Sequence, residues 1–230
     1  MELRYRAAIV LRSVRAFMTL KELSGVLGLP QSIISRYANM RLLPSRDSAQ
    51  RIMDSLLSKK VLAGILMKRI TASRPFKAGT VYDITAAAGD PNILNLVGEY
   101  VCTKSGGNFD AVIAPEVGGI TFATAVSMVS RKPLIIARRS KVASEGFLEI
   151  PVYRDPTAVD YYYIKSVDLE RARKVLIVDD FGLKGSTLSS FVERLEAAGK
   201  EVTGVYLMIG IGSDWKKAHP LADAILEIEL

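Results

Sequence analysis

The chain has 230 residues, 49% of them apolar, which is enough for a packed core in one large domain or a large one plus a small one, and excludes disorder as the main state. A single Cys excludes an internal disulfide and a Cys/His zinc cluster and points to the reducing cytosol, and no apolar run approaches the roughly 20 residues of a membrane span. The charge is unevenly placed: residues 1–75 carry 14 basic and 4 acidic side chains, a net of +10, whereas residues 76–230 carry 17 and 20, a net of −3.

A basic excess confined to the first third is either a solvated face or a surface for a polyanion. Residues 4–18 read as an amphipathic helix with Ala8, Val10, Leu11, Val14 and Phe17 or Met18 on its apolar side. Charges run through it where a signal peptide would be apolar, so a soluble, cytoplasmic protein is expected. Thr19-Leu20-Lys21-Glu22 is a capping-box pattern that starts a second helix, and Gly28 ends it in a left-handed turn. A third helix is entered through Leu29-Pro30-Gln31-Ser32, with Ile33, Ile34 and Tyr37 as its apolar points.

With Ser24 four residues before Gly28 and Leu23, Leu27 and Leu29 around it, this set resembles the helix-turn-helix of bacterial and phage repressors. The resemblance implies that the helix from Pro30 to Met40 enters the major groove. Its exposed face offers Gln31, Ser32, Ser35, Arg36 and Asn39, with Arg41 and Arg46 flanking for phosphates. A plain helical hairpin with a solvated face is the alternative. A further helix from Ser45 to Leu57, striped by Ala49, Ile52, Met53 and Leu56, closes a small all-α domain over residues 1–75. Residues 58–79 then lead out through Gly64, Pro75 and Gly79.

From Thr80 the periodicity changes. The runs 110–115, 133–137 and 174–180 are short, branched and apolar, as buried parallel strands are, and helical stretches lie near 91–104, 119–131 and 186–199. That alternation predicts a doubly wound α/β domain over residues 76–230, a mostly parallel sheet flanked by helices. Within it, the strand from Val175 ends in the carboxylates Asp179 and Asp180. Phe181, Gly182, Leu183, Lys184 and Gly185 then lead into a helix that opens with Ser186 and Thr187. Loop amides and hydroxyls at a helix start cradle a phosphate, while paired carboxylates at the strand end suit ribose hydroxyls or a divalent ion carried by a diphosphate. The Walker spacing is absent, because Lys184 precedes the glycine.

This segment resembles the phosphoribosyl diphosphate (PRPP) signature of type I phosphoribosyltransferases, with Lys184 where that family usually has Thr. Asp-Asp-Phe with a nearby Lys is most similar to the Gram-positive purine repressor and related archaeal phosphoribosyltransferase-like regulators. The resemblance implies the type I fold, PRPP as ligand and Mg2+ accompanying it; no residue of the chain is assigned as a ligand of a metal of its own. It also implies a diphosphate loop at Glu116, Val117, Gly118 and Gly119, for which a common strand-to-helix turn is the alternative.

Residues 137–151 fall where orotate phosphoribosyltransferases carry a flexible catalytic loop. Here Arg138, Arg139 and Lys141 supply cations, but Ser144-Glu145-Gly146 replaces the family's His and its neighbour, and the lone His219 is remote. The C-terminal piece 209–230 is expected in the hood over the base, with Trp215 a packing residue rather than a stacking platform. Together these features predict a homodimeric transcription regulator that binds duplex DNA and senses PRPP, ribose 5-phosphate or a nucleotide, with little or no turnover. The competing reading is an active, orotate-like phosphoribosyltransferase; an autoinhibited enzyme with RNA as partner ranks last, because no aromatic single-strand platform is evident.

Overall fold

A computed structural model describes residues 2–73, 81–142, 146–155, 158–183 and 185–229. The chain divides into two compact units between Tyr100 and Val101.

The first unit contains α1 (Leu3–Val14), α2 (Leu20–Leu27), α3 (Gln31–Ala38), α4 (Arg46–Leu56) and α5 (Lys59–Met67). The capping box forms as expected: the Thr19 amide donates to the Glu22 carboxylate at 2.7 Å, and the Glu22 amide donates to the Thr19 hydroxyl at 3.2 Å. Gly28 closes α2 at φ +65°, with its N–H on the Ser24 carbonyl. Ile34 and Tyr37 of α3, Leu23 and Leu27 of α2, and the Ile52 and Met53 stripe of α4 are buried. The expected lead-out from residue 58 is corrected by α5, in which Leu62, Ile65 and Leu66 are buried. A Cβ at Gly64 would meet nothing within 4 Å, so Gly64 costs only its propensity, about 1 kcal/mol, against three buried aliphatic side chains.

A two-stranded antiparallel ribbon follows, β1 (Thr71–Ser73) with β2 (Val81–Asp83), then α6 (Thr85–Ala88) and α7 (Pro91–Lys104), within which the division falls. The packing boundary lies beyond the charge boundary at residue 75 because α7 is tied to α1. Arg6 pairs with the buried Glu99 at 2.7 Å, and the Asn95 amide donates to the Ser13 hydroxyl at 3.1 Å.

The second unit holds β3 (Ala111–Pro115), α8 (Gly119–Ser130), β4 (Leu134–Ala137), β5 (Phe147–Asp155), β6 (Ala158–Lys165), α9 (Ser166–Glu170), β7 (Lys174–Gly182), α10 (Ser186–Ala197), β8 (Glu201–Ile211) and, after a short 3-10 turn at Asp214–Ala218, β9 (Ala222–Ile228). Five strands form a parallel sheet in the order β4-β3-β7-β8-β9. The chain winds one way from β3 to β4 and the other way from β7 through β8 to β9. The order therefore reverses between β3 and β7, and the crevice at their C-terminal ends is where an open α/β sheet binds ligands. At the opposite ends the Asp110 carboxylate accepts the Lys174 and Arg173 amides at 2.8 and 3.0 Å, fixing the start of β7 beside that of β3.

Strands β5 and β6 pair antiparallel, from Phe147↔Lys165 to Asp155↔Ala158, an arrangement that the sequence reading did not anticipate. Its buried face, Ile150, Val152, Tyr162 and Ile164, belongs to the same core as Phe191 of α10. The C-terminal piece is also corrected: it completes the central sheet as the end of β8 and β9, because Leu207↔Ala224 and Ile209↔Leu226 pair in parallel register. Among the described residues, no helix is long and apolar enough to cross a membrane.

Candidate functional site

The end of β7 carries Asp179, Asp180 and Phe181, half-buried after the fully buried run Val175–Val178. The Asp180 amide donates to the Asp179 carboxylate at 2.9 Å and the Phe181 amide to the Asp180 carboxylate at 2.8 Å, so each carboxylate is pinned by the amide that follows it. Beyond Gly182 and the exposed Leu183, Gly185 turns at φ +74° into α10, whose first intrahelical bond runs from the Ser189 amide to the Gly185 carbonyl. The amides of Ser186, Thr187 and Leu188 precede that bond and have no partner within the helix. They border a cavity of about 350 Å³ lined by Phe181, Gly182, Leu183 and Gly185 to Leu188. Lys184 lies outside the described residues.

Trp215 supports this loop from below. It is 1% exposed, donates its indole N–H to the Gly212 carbonyl at 3.0 Å, fills with its ring the space that a side chain at Gly210 would need, and with Leu207 closes the space beside Gly182. It is a packing residue, and the glycines that make room for it went unread in the sequence. His219 is no candidate: its Nδ1 accepts the Leu221 amide within a turn.

The loop after β3 runs through Glu116, Val117 and Gly118 into Gly119, the first residue of α8, with a cis Glu116–Val117 peptide. A Cβ on Gly118 would collide with the Asp180 carboxylate, and one on Gly119 would lie 2.6 Å from Asp179 Oδ1. Two motifs some sixty residues apart in sequence therefore meet at the reversal point, separated by no more than the thickness of a glycine backbone.

The cationic segment begins where β4 ends. Arg139 is committed to the hairpin: its guanidinium donates to the Tyr162 hydroxyl at 3.0 Å, reaches Asp160 at 3.4 Å and lies over the Tyr162 ring. Lys141 pairs with Glu149 at 2.5 Å, and that hydrogen bond raises its pKa above the usual 10.5. Arg138 is exposed and exchanges two backbone hydrogen bonds with Tyr163. Ser144 and Glu145 lie outside the described residues.

In the first unit Gln31, Ser32, Arg36, Asn39 and Arg41 are exposed on and just after α3, while Ser35 is half-buried and accepts the Asn39 amide at 3.4 Å. Among the described residues, no cluster of three or more His, Cys, Asp and Glu side chains is poised to hold a metal ion.

Residues 90–229 match the model of the phosphoribosyl transferase domain. The chain belongs to this phosphoribosyltransferase family. Among its relatives, the hypoxanthine/guanine phosphoribosyltransferase of Methanosarcina mazei is 29% identical over 132 residues, 57% of this chain and 68% of that protein. An HGPRTase-like protein 2 of Natrialba magadii is 30% identical over 120 residues, 52% of this chain and 65% of that protein. The fold is shared with the adenine phosphoribosyltransferase of Thermoanaerobacter pseudethanolicus, at a TM-score of 0.63 and 19% identity, over 72% of this chain and 99% of that one.

These findings correct the expectation of a DNA-binding transcription regulator. The relatives that share this phosphoribosyltransferase fold are named as transferases, and the family match leaves residues 1–89 outside it. The regulator reading rested on the helix-turn-helix resemblance and the +10 charge of residues 1–75, with the departure between Arg138 and Gly146 arguing against turnover. The phosphoribosyltransferase core itself assembles, with the acidic pair, the glycine loop and the open helix start brought together. The exposed polar face of α3 is equally what a solvated helix presents.

Proposed function

We propose that the protein is a phosphoribosyltransferase that transfers the phosphoribosyl group of PRPP to a purine base. The observation that carries it is the abutment of Gly118 and Gly119 on Asp180 and Asp179, beside the open amides of α10. In this assignment the amides of Ser186 to Leu188 and the hydroxyls of Ser186 and Thr187 hold the 5-phosphate. Asp179 and Asp180 accept from the ribose hydroxyls, and the backbone of Glu116 to Gly119 meets the diphosphate.

The base nitrogen forms a bond to C1 of the ribose as the C1–O bond to diphosphate breaks. The bonding electrons leave with pyrophosphate, and the proton of the base nitrogen passes to solvent. Rate is gained by fixing the two reactants in line and by placing amides and cations where charge grows on the leaving oxygen.

Two adjacent carboxylates, with no third His, Cys, Asp or Glu ligand grouped with them among the described residues, fit a Mg2+ ion that arrives on PRPP better than a resident metal. Asp179 and Asp180 would hold such an ion, which would supply charge neutralisation for the diphosphate. A purine acceptor is preferred to orotate because the relatives are named for hypoxanthine and guanine. The activity is assigned to residues 76–230, with residues 1–75 as an accessory helical module. Pyrophosphate release from PRPP, measured with each of hypoxanthine, guanine, adenine and orotate, tests the assignment.

A further inference from the structure

We infer that Glu116 is a positioning residue that holds Arg138 at the diphosphate end of the cleft, an inference that rests on the transferase reading above and deepens it. Of the three cations after β4, two are already used. Arg139 is bound by Tyr162 and Asp160, and Lys141 by Glu149. The Arg138 side chain is exposed and has no ion pair among the described residues.

Glu116 brackets Arg138 from both sides. Its backbone N–H donates to the carbonyl of Ala137 at 3.0 Å, and its carboxylate accepts the N–H of Arg139 at 2.9 Å. The residue that opens the glycine loop thereby clamps the peptide units before and after Arg138. Two residues further on, Gly118 abuts the Asp180 carboxylate. The glycine loop that abuts the acidic pair is thus joined, through Glu116, to the backbone that carries Arg138.

The sign of the effect separates this role from simple electrostatics. A carboxylate beside a diphosphate is repulsive, so a Glu116 that only carried charge would weaken diphosphate binding, and removing it would tighten it. A Glu116 that positions Arg138 does the reverse. The Glu116→Gln substitution removes the charge and keeps a carbonyl acceptor for the Arg139 amide, whereas Glu116→Ala removes both.

The experiment measures, on the full chain, calorimetric affinity for inorganic pyrophosphate with magnesium, together with KM for PRPP and kcat. We expect Arg138→Ala to weaken pyrophosphate about tenfold, the value of one charge-assisted hydrogen bond. Glu116→Ala should lose a similar factor and raise KM, Glu116→Gln should recover most of it, and the Glu116→Ala/Arg138→Ala double variant should be no worse than Arg138→Ala alone. Tighter pyrophosphate binding in both Glu116 variants, or wild-type binding in Arg138→Ala, overturns the inference. Should Glu116→Ala fail to fold, Glu116→Gln and Arg138→Ala still decide it. A wild-type chain without turnover would sink the transferase reading instead, and the pyrophosphate measurements would still judge the clamp.

Discussion

Replacing Gly118 by Ala puts one methyl group into the narrowest part of the site. The new Cβ would overlap the Asp180 carboxylate, with the more distant oxygen still only 3.0 Å away. The obstructing atoms all belong to one side chain, so the fold survives by rotating that carboxylate aside. The rotation breaks its bond to the Phe181 amide, at 2.8 Å, and withdraws the acceptor assigned to a ribose hydroxyl. A hydrogen bond to a charged group contributes about 1.5–3 kcal/mol, so ribose 5-phosphate should bind roughly 10–100-fold more weakly. Inorganic phosphate, held by the α10 amides alone, should be nearly unaffected. Gly119→Ala is the contrast: its Cβ would meet the backbone at Val178 O and Asp179 Cα, both at 3.0 Å, and backbone in a central strand cannot rotate away. Overpacking there costs about 1–3 kcal/mol and lowers the melting temperature by several degrees. Titration calorimetry with both ligands, beside thermal melts, separates the two. Wild-type affinity of Gly118→Ala for ribose 5-phosphate would refute the placement of the sugar.

Asp179→Asn and Asp180→Asn should each weaken ribose 5-phosphate more than inorganic phosphate in the same calorimeter, since only the sugar uses the carboxylates. Trp215 is the single Trp of the chain and lies under the phosphate loop, so its fluorescence should shift on titration with ribose 5-phosphate. Trp215→Ala should cost about 3–5 kcal/mol in denaturant unfolding by leaving a cavity beneath the loop. The amides of Lys174 and then Arg173 hold the Asp110 carboxyl below its ordinary pKa of 3.8, so the folded chain favours the ionised form. That contribution is complete above pH 3.8 and is lost as pH falls through the depressed value. Asp110→Asn should therefore flatten the acid limb of a stability-versus-pH curve and leave its alkaline limb unchanged.

What the sequence made legible was whatever rests on local chemistry. The Thr19–Glu22 box and the Gly28 turn encode their own hydrogen bonds, and the strand at Val175 with its acidic end announces itself by composition. The β5–β6 hairpin was hidden because Pro151 argues against a strand, and because Tyr162 takes its core place only by packing on Phe191. The helix at Lys59–Met67 was hidden by Gly64, whose breaking tendency is overridden by three buried neighbours. At the site, each loop could be read separately, but their meeting could not. The glycines at 118 and 119 look like flexibility in the sequence, and only the β3–β7 adjacency turns them into clearance for Asp179 and Asp180. The commitment of Arg139 and Lys141 was unreadable for the same reason, because their partners Tyr162, Asp160 and Glu149 belong to the unforeseen hairpin.

The most direct test of the transferase assignment is a steady-state assay of pyrophosphate release from PRPP with magnesium and hypoxanthine or guanine, using the full chain. Base-dependent release with formation of the corresponding nucleoside monophosphate is expected, at a rate within the ordinary enzymatic range of about 1–1000 per second, together with its loss in the Asp179→Asn/Asp180→Asn double variant. PRPP binding without release of pyrophosphate, with these bases and with adenine and orotate alike, would contradict the assignment.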